Sequence, residues 1–204
     1  MNAPESKAAI EPYVHEARDG AGVVTLTLNR PQQFNALSTG MMAALQAALD
    51  AIARDATARV VVIAGAGKAF CAGHDLKEMK ETPSHDAYRA LFAQAARLMV
   101  TLQRMPQPVI ARVHGVATAA GCQLVAACDL AVAAEGARFG VSGINVGLFC
   151  TTPGVALARN VGRKAAFEML VTGGFIGADE AKIAMWQGQV NTVRQALADR
   201  QAKK

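Results

Sequence analysis

The chain has 204 residues, 52% of them apolar, which is the size of one domain with a substantial core. Its net charge of +5 comes from 21 basic and 16 acidic residues scattered along the chain, and with aromatics at 5% a stacking platform for single-stranded nucleic acid is not expected. No apolar run reaches bilayer length, because Asp129 breaks the run over 124–134, so no membrane association is expected.

Residues 1–12 are polar, with two glutamates, and read as a flexible tail. They lack the apolar centre of a secretory signal and the arginines of a transit peptide, so a cytoplasmic location is expected. Val23–Leu28 alternates in the period of a half-buried strand. After a turn at Asn35-Ala36-Leu37, Ser38 is a fair helix N-cap, and Met41, Met42, Leu45, Leu49 and Ile52 form one helical stripe. The β-branched run 60–63 predicts a strand covered on both faces. A long loop with a helical turn is expected through Glu81. Tyr88, Leu91, Phe92, Ala95, Leu98, Met99 and Leu102 predict an amphipathic helix that Pro106 and Pro108 end. A strand at Val109–Val113, a short helix at 121–127 and a strand at 130–134 follow, then two or more helices over 154–184. Strand, helix and strand at this spacing predict an α/β fold with parallel pairing and crossover helices. Cys71, Cys122, Cys128 and Cys150 have no C-x-x-C spacing and read as reduced, mostly buried thiols.

Two segments carry the chemistry: Ala72-Gly73-His74-Asp75-Leu76-Lys77-Glu78 and Ala119-Ala120-Gly121-Cys122-Gln123-Leu124. Each puts small residues where a strand gives way to a helix. Such turns leave backbone N–H groups unpaired and able to hold an anion. Facing one another, two of them could grip the oxyanion that develops in acyl-group chemistry. Small residues at these places also serve close packing. Competing motifs fail: Phe70 stands where Gly65-Ala66-Gly67 would need its third glycine, and Ala69 follows Gly67-Lys68 where a P-loop needs Ser or Thr. No His/Cys/Asp set has zinc spacing, so no metal is expected.

The order and spacing of Asn29-Arg30-Pro31, Asn35-Ala36-Leu37, Gly67-Lys68-Ala69-Phe70-Cys71-Ala72-Gly73-His74-Asp75-Leu76, Pro108-Val109-Ile110-Ala111, His114-Gly115, Gly121-Cys122 and Cys128-Asp129-Leu130 resemble the crotonase family, the enoyl-CoA hydratase/isomerase superfamily. Asn145-Val146-Gly147-Leu148-Phe149-Cys150 and Thr152-Pro153-Gly154-Val155-Ala156-Leu157 narrow the likeness to one branch. It covers about residues 22–182. The resemblance implies the ClpP/crotonase-like spiral of strand-strand-helix units, where periodicity alone gives only α/β, with a core domain over 13–182. It implies a CoA thioester ligand in fatty-acid or acyl-CoA metabolism, with CoA arriving as part of the substrate and no tightly bound cofactor, and assembly as a homotrimer or hexamer. The N–H groups of His74 and Ala120 would form an oxyanion hole that stabilises an enolate. Ala72, His74, Asp75, Leu76 and Lys77 would line the CoA site, Asn35, Ala36 and Leu37 would lie near the adenine, and Arg30 or Lys77 would meet phosphate.

The chain departs from the family where the acids should be. One of the two glutamates that activate water and protonate the α-carbon should sit two residues after Gly121, where Gln123 stands. The other should sit four residues after Phe139, where Gly143 stands. An amide is no general base at neutral pH and glycine has no side chain, while each positioned acid–base group contributes about 10²–10⁴-fold. A further acid, used by dienoyl-CoA isomerases, would fall at Thr151. His74, Cys122, Gln123, Asn145, Cys150 and Thr151 are the candidate substitutes. For Cys122 a buried structural thiol is the simpler reading. Three functions stay open: a hydratase/isomerase-type or decarboxylase-type enzyme, a non-catalytic acyl-CoA binder, and a fragment with neither activity. The last arises because 183–204 is an atypical, short segment, with one amphipathic stripe at Val190, Val193 and Leu197 where the family carries longer helical sequence.

Overall fold

The computed structural model describes residues 11–181. Most of the expected tail and all of the segment 183–204, with its Val190, Val193 and Leu197 stripe, lie outside the described residues.

β1 (Val14–Arg18) pairs antiparallel with β2 (Val23–Leu28), setting Val14 opposite Leu28. β2 buries Val24, Leu26 and Leu28 and half-covers Val23, Thr25 and Thr27, as its alternation predicts. Ser38 caps α1 (Thr39–Ile52): its hydroxyl accepts the Met41 N–H at 3.2 Å, and all five residues of the stripe are buried. β3 (Val60–Gly65) differs from expectation. Its burial alternates, with Val61 and Ile63 enclosed and Val60 and Val62 half-open, so one face packs on the core and the other is only partly covered. β4 (Ala69–Cys71) is fully buried and leads to α2 (Leu76–Glu81) and α3 (His85–Arg104). β5 (Val109–Val113) and β6 (Val116–Thr118) precede α4 (Ala120–Ala127), which is buried throughout. β7 (Leu130–Ala133) and β8 (Arg138–Gly140) precede α5 (Thr151–Asn160) and α6 (Arg163–Thr172), and β9 (Phe175–Gly177) follows.

The strands form two sheets, in the orders β1-β2-β3-β5-β7 and β4-β6-β8-β9. Every neighbour pairing is parallel except the end pairs β1–β2 and β8–β9. The chain three times runs a strand of the larger sheet, a strand of the smaller, then helix: β3-β4-α2-α3, β5-β6-α4 and β7-β8-α5-α6. This is the expected strand-strand-helix spiral. Its first turn, from β2 to α1, replaces the second strand with a single parallel bridge between Leu37 and His74.

Asn35 holds that first turn. Phe34 and Asn35 take positive φ, 50° and 55°, a region Asn tolerates better than most residues. Asn35 has no exposed surface; its Oδ1 accepts the Arg30 N–H at 2.9 Å, and Nδ2 donates to the carbonyls of Ala66 (2.8 Å) and Ala69 (2.9 Å). The amide therefore ties the Arg30 turn to the entry of β4. Each buried group orphaned by truncation costs about 1–3 kcal/mol, so Asn35→Ala is expected to lose about 3 kcal/mol or more. Urea unfolding checks this, and a loss below about 1 kcal/mol would mean that water replaces the amide at little cost.

Candidate active site

The bridge at Leu37 sets the first turn. Leu37 N–H donates to the Gly73 carbonyl at 2.7 Å, and the Asp75 N–H donates to the Leu37 carbonyl at 3.4 Å. In this parallel pattern the residue between them, His74, points its own N–H away from Leu37. Asp75 then caps α2, accepting from the N–H groups of Lys77 (3.1 Å) and Glu78 (3.4 Å), while Glu78 Oε2 accepts from the Thr39 N–H at 2.9 Å. The second turn begins at Ala119, whose φ of 50° breaks from β6 and whose N–H donates to Gly140 at 2.9 Å. Ala120 opens α4, so its N–H has no acceptor within the helix and sits at the positive end of the helix dipole. The two turns abut: a Cβ on Gly73 would stand 3.2 Å from the Ala120 nitrogen and 3.0 Å from the Thr118 carbonyl oxygen.

A cavity of about 480 Å³ opens at this junction. Ala72, His74, Ala119 and Ala120 form its head; Leu76 and Met79 of α2 and Phe92 of α3 form one wall; Ser142, Gly143, Val146 and the run 148–153 form the other. Among the described residues the lining contains no carboxylate, and its polar side chains are His74, Ser142, Cys150, Thr151 and Thr152. The His74 ring meets Phe92 edge-on, with centroids 5.4 Å apart at 83°. Burial pushes its pKa below the ordinary value; the Leu37 backbone offsets part of this without a hydrogen bond of ordinary geometry to Nδ1, which is buried and unpaired.

The other candidates fall in different places. Gln123 is buried in α4, 9% exposed, and is not part of the lining. Gly143 is part of it. Cys150 also lines the cavity, whereas burial pushes the Cys122 thiol up to about 12, in keeping with a structural role. Asn145 donates to the Gly173 carbonyl at 3.4 Å and acts as a turn residue. Among the expected CoA contacts, Ala72, His74 and Leu76 reach the cavity, while Arg30, Ala36, Asp75 and Lys77 do not. Arg30 donates to Ser38 (3.1 Å) and Gln33 (3.2 Å) and stands 3.7 Å from Asp75. The sequence reading missed Met79 and Phe92 as cavity walls, and the 2.7 Å hydrogen bond between the hydroxyls of Thr118 and Ser142. Phe92 is exposed on α3 although it belongs to the predicted stripe, and that exposure beside a cavity was not readable from the period; Met79 of α2 is half-buried against the core. Among the described residues no cluster of ligands could hold a metal, and no helix is long and apolar enough to cross a membrane.

Residues 18–196 match the family model for enoyl-CoA hydratase/isomerase. The chain belongs to the enoyl-CoA hydratase/isomerase family. Within it, the likeness runs to the branch of enoyl-CoA hydratase domain-containing protein 3. The mitochondrial protein of that name from Xenopus laevis is 51% identical over 160 residues, 78% of this chain and 54% of the relative. The human one is 46% identical over 171 residues, 84% of this chain and 56% of the relative. The chain thus spans about half the length of these curated relatives. Among solved structures, an enoyl-CoA hydratase from Mycobacterium smegmatis matches at a TM-score of 0.84 and 60% identity, covering 93% of this chain and 76% of that one. Human enoyl-CoA hydratase domain-containing protein 3 matches at 0.82 and 41% identity, covering 91% and 76%. The expected cytoplasmic location is corrected by these relatives: the five from frog, human, mouse, rat and zebrafish are all named mitochondrial. That expectation rested on the composition of the first twelve residues, a weaker warrant than where close relatives are found.

Proposed function

We propose that this chain binds an acyl-CoA thioester, with the acyl group in the cavity and the thioester oxygen between the N–H groups of His74 and Ala120. The observation that carries this reading is the abutment of two turns with outward N–H groups at the head of an apolar cavity. Apolar walls suit a hydrocarbon chain, and two fixed donors suit an oxygen whose negative charge grows as an enolate forms. Losing one such donor typically costs about a hundred- to a thousandfold in rate. Lys77, exposed at the start of α2 and next in sequence to Leu76 of the cavity wall, is the candidate for the CoA phosphates; Arg30 is partly committed to Asp75 and Ser38. CoA arrives as part of the substrate, and the place of the reaction is acyl-CoA metabolism. The names of relatives support an enoyl-CoA substrate, among them a 2,3-dehydroadipyl-CoA hydratase of Escherichia coli that is 40% identical over 163 residues.

Hydration by a pair of glutamates is not part of the proposal. Gln123 and Gly143 stand where those acids are expected, and among the described residues the lining has no carboxylate to replace them. The reaction is one that needs an enolate pocket more than two acids, such as a double-bond shift or decarboxylation. Assembly into a trimer or hexamer belongs to the same proposal, supported by Phe149, Val155 and Phe167, each more than half exposed.

The test is calorimetric titration with crotonyl-CoA and a longer enoyl-CoA, with turnover followed on the same sample. Binding of both is expected, with hydration far below that of a relative carrying both glutamates. Binding without any turnover across a panel of thioesters would make the chain a binding protein. A folded sample that binds neither ligand would defeat the acyl-CoA reading.

A further inference from the structure

We propose that the His74 imidazole is the group that removes and returns the proton on the carbon next to the thioester carbonyl. The proposal rests on the acyl-CoA reading of the same cavity and names the base that reading lacks.

An enolate pocket needs a proton carrier, and the lining limits the choice. Among the described lining residues, His74 and Cys150 are the ones whose side chains titrate. The nearest carboxylates on the same turn are occupied: Asp75 holds two N–H groups of α2, and Glu78 holds the N–H of Thr39. Neither lines the cavity. His74 is placed differently. Its backbone supplies one of the two donors proposed for the thioester oxygen, so its ring hangs from the residue that holds the carbonyl, one bond from the carbon to be deprotonated. The imidazole lies in the cavity wall, edge-on to Phe92. A desolvated imidazole is also kept in its neutral form, which has a lone pair to accept a proton.

The step balances within the cavity. The Cα–H bond breaks, its electron pair moves into the carbonyl as an enolate held by the two N–H groups, and the proton goes to the imidazole. The imidazolium returns the proton to Cα, which is exchange, or to Cγ of a β,γ-unsaturated acyl group, which shifts the double bond into conjugation.

The test uses 3-butenoyl-CoA in D₂O, with deuterium entry at Cα read by NMR and the conjugated product by absorbance. Wild type and His74→Gln are compared, and thioester affinity is measured on both. The substitution keeps the backbone N–H, so affinity is expected to change by far less than exchange, which falls about 10²–10⁴-fold. Equal exchange by His74→Gln, or binding by wild type with no exchange, overturns the proposal and leaves the binding reading intact. Failure of wild type to bind the thioester defeats the acyl-CoA reading itself and this proposal with it. Should His74→Gln not fold, the wild-type pH profile decides. Exchange lost on acidification with a midpoint below 6.5 supports His74. Exchange that appears only above pH 9.0 assigns the base to Cys150 and overturns it.

Discussion

A Gly121→Ala variant is expected to fold less stably and to bind acyl-CoA thioesters on the order of tenfold more weakly, a difference of about 1.4 kcal/mol. Gly121 is the second residue of α4, and a Cβ there would lie 2.2 Å from the carbonyl oxygen of Cys71. Ordinary contact begins at 3.4 Å, and the obstacle is backbone of β4, which cannot swing aside as a side chain can. The helix and the strand must separate by about an ångström. Overpacking of this kind typically costs 1–3 kcal/mol, roughly enough to be read directly in a urea unfolding curve. The functional consequence is more specific. β4 carries the His74 turn and α4 carries Ala120, so their separation spreads the two proposed donors. Misplacement by about 1 Å can cost a hundredfold at a reacting centre. Titration with crotonyl-CoA on the folded variant separates the effects: lower stability with unchanged affinity would mean that Gly121 serves packing alone.

The residues that set local structure were legible in the sequence because each acts within one turn of the chain. Ser38 and the stripe from Met41 to Ile52 place α1, and Val109–Val113 places β5 between prolines and a tight turn. β8 and β9 were not legible, and β4 and β6 only as strands of unstated bounds before the two turns: each has three residues, too short for a period, and each exists only because a neighbouring strand supplies its partners. β1 escaped for another reason. Its sequence, Val-His-Glu-Ala-Arg, is mostly polar and exposed, as suits an edge strand paired with β2 on one side. At the site, the two turns announce themselves by small residues next to apolar runs, but their abutment is a tertiary fact. Asn35 reads as a turn residue and, through the resemblance, as a neighbour of adenine; the structure shows the turn, and adds that the side chain is buried and stitches two segments. Gln123 shows the limit most clearly, since its place on α4 was legible and its exclusion from the lining was not.

A Gly143→Glu variant, which restores an acid where the family is expected to carry one, is expected to gain no hydratase activity and to lose stability. An ideal Cβ at this position meets the Leu148 carbonyl oxygen at 2.4 Å and the Cys150 sulfur at 2.7 Å. The thiol could turn away, but the carbonyl belongs to a closed loop. Leu148 N–H donates to the Gly143 carbonyl at 2.9 Å, and Gly147 N–H donates to Ile144 at 3.1 Å. A side chain at 143 must therefore reopen the backbone from 143 to 148 before its carboxylate can face the cavity. The missing acid is then a property of the loop rather than of one residue. Adding Gln123→Glu does not supply the partner, because Gln123 lies outside the lining, and a carboxyl buried in α4 would be driven toward its neutral form. Each well-placed acid should raise the rate about 10²–10⁴-fold, an effect too large to miss in a spectrophotometric assay with crotonyl-CoA. A gain of that size in Gly143→Glu would mean that the loop opens at little cost and that one restored acid is enough for hydration. No gain, with a lower unfolding midpoint, would mean that 142–150 is built around glycine and that the cavity's chemistry belongs to the groups already lining it.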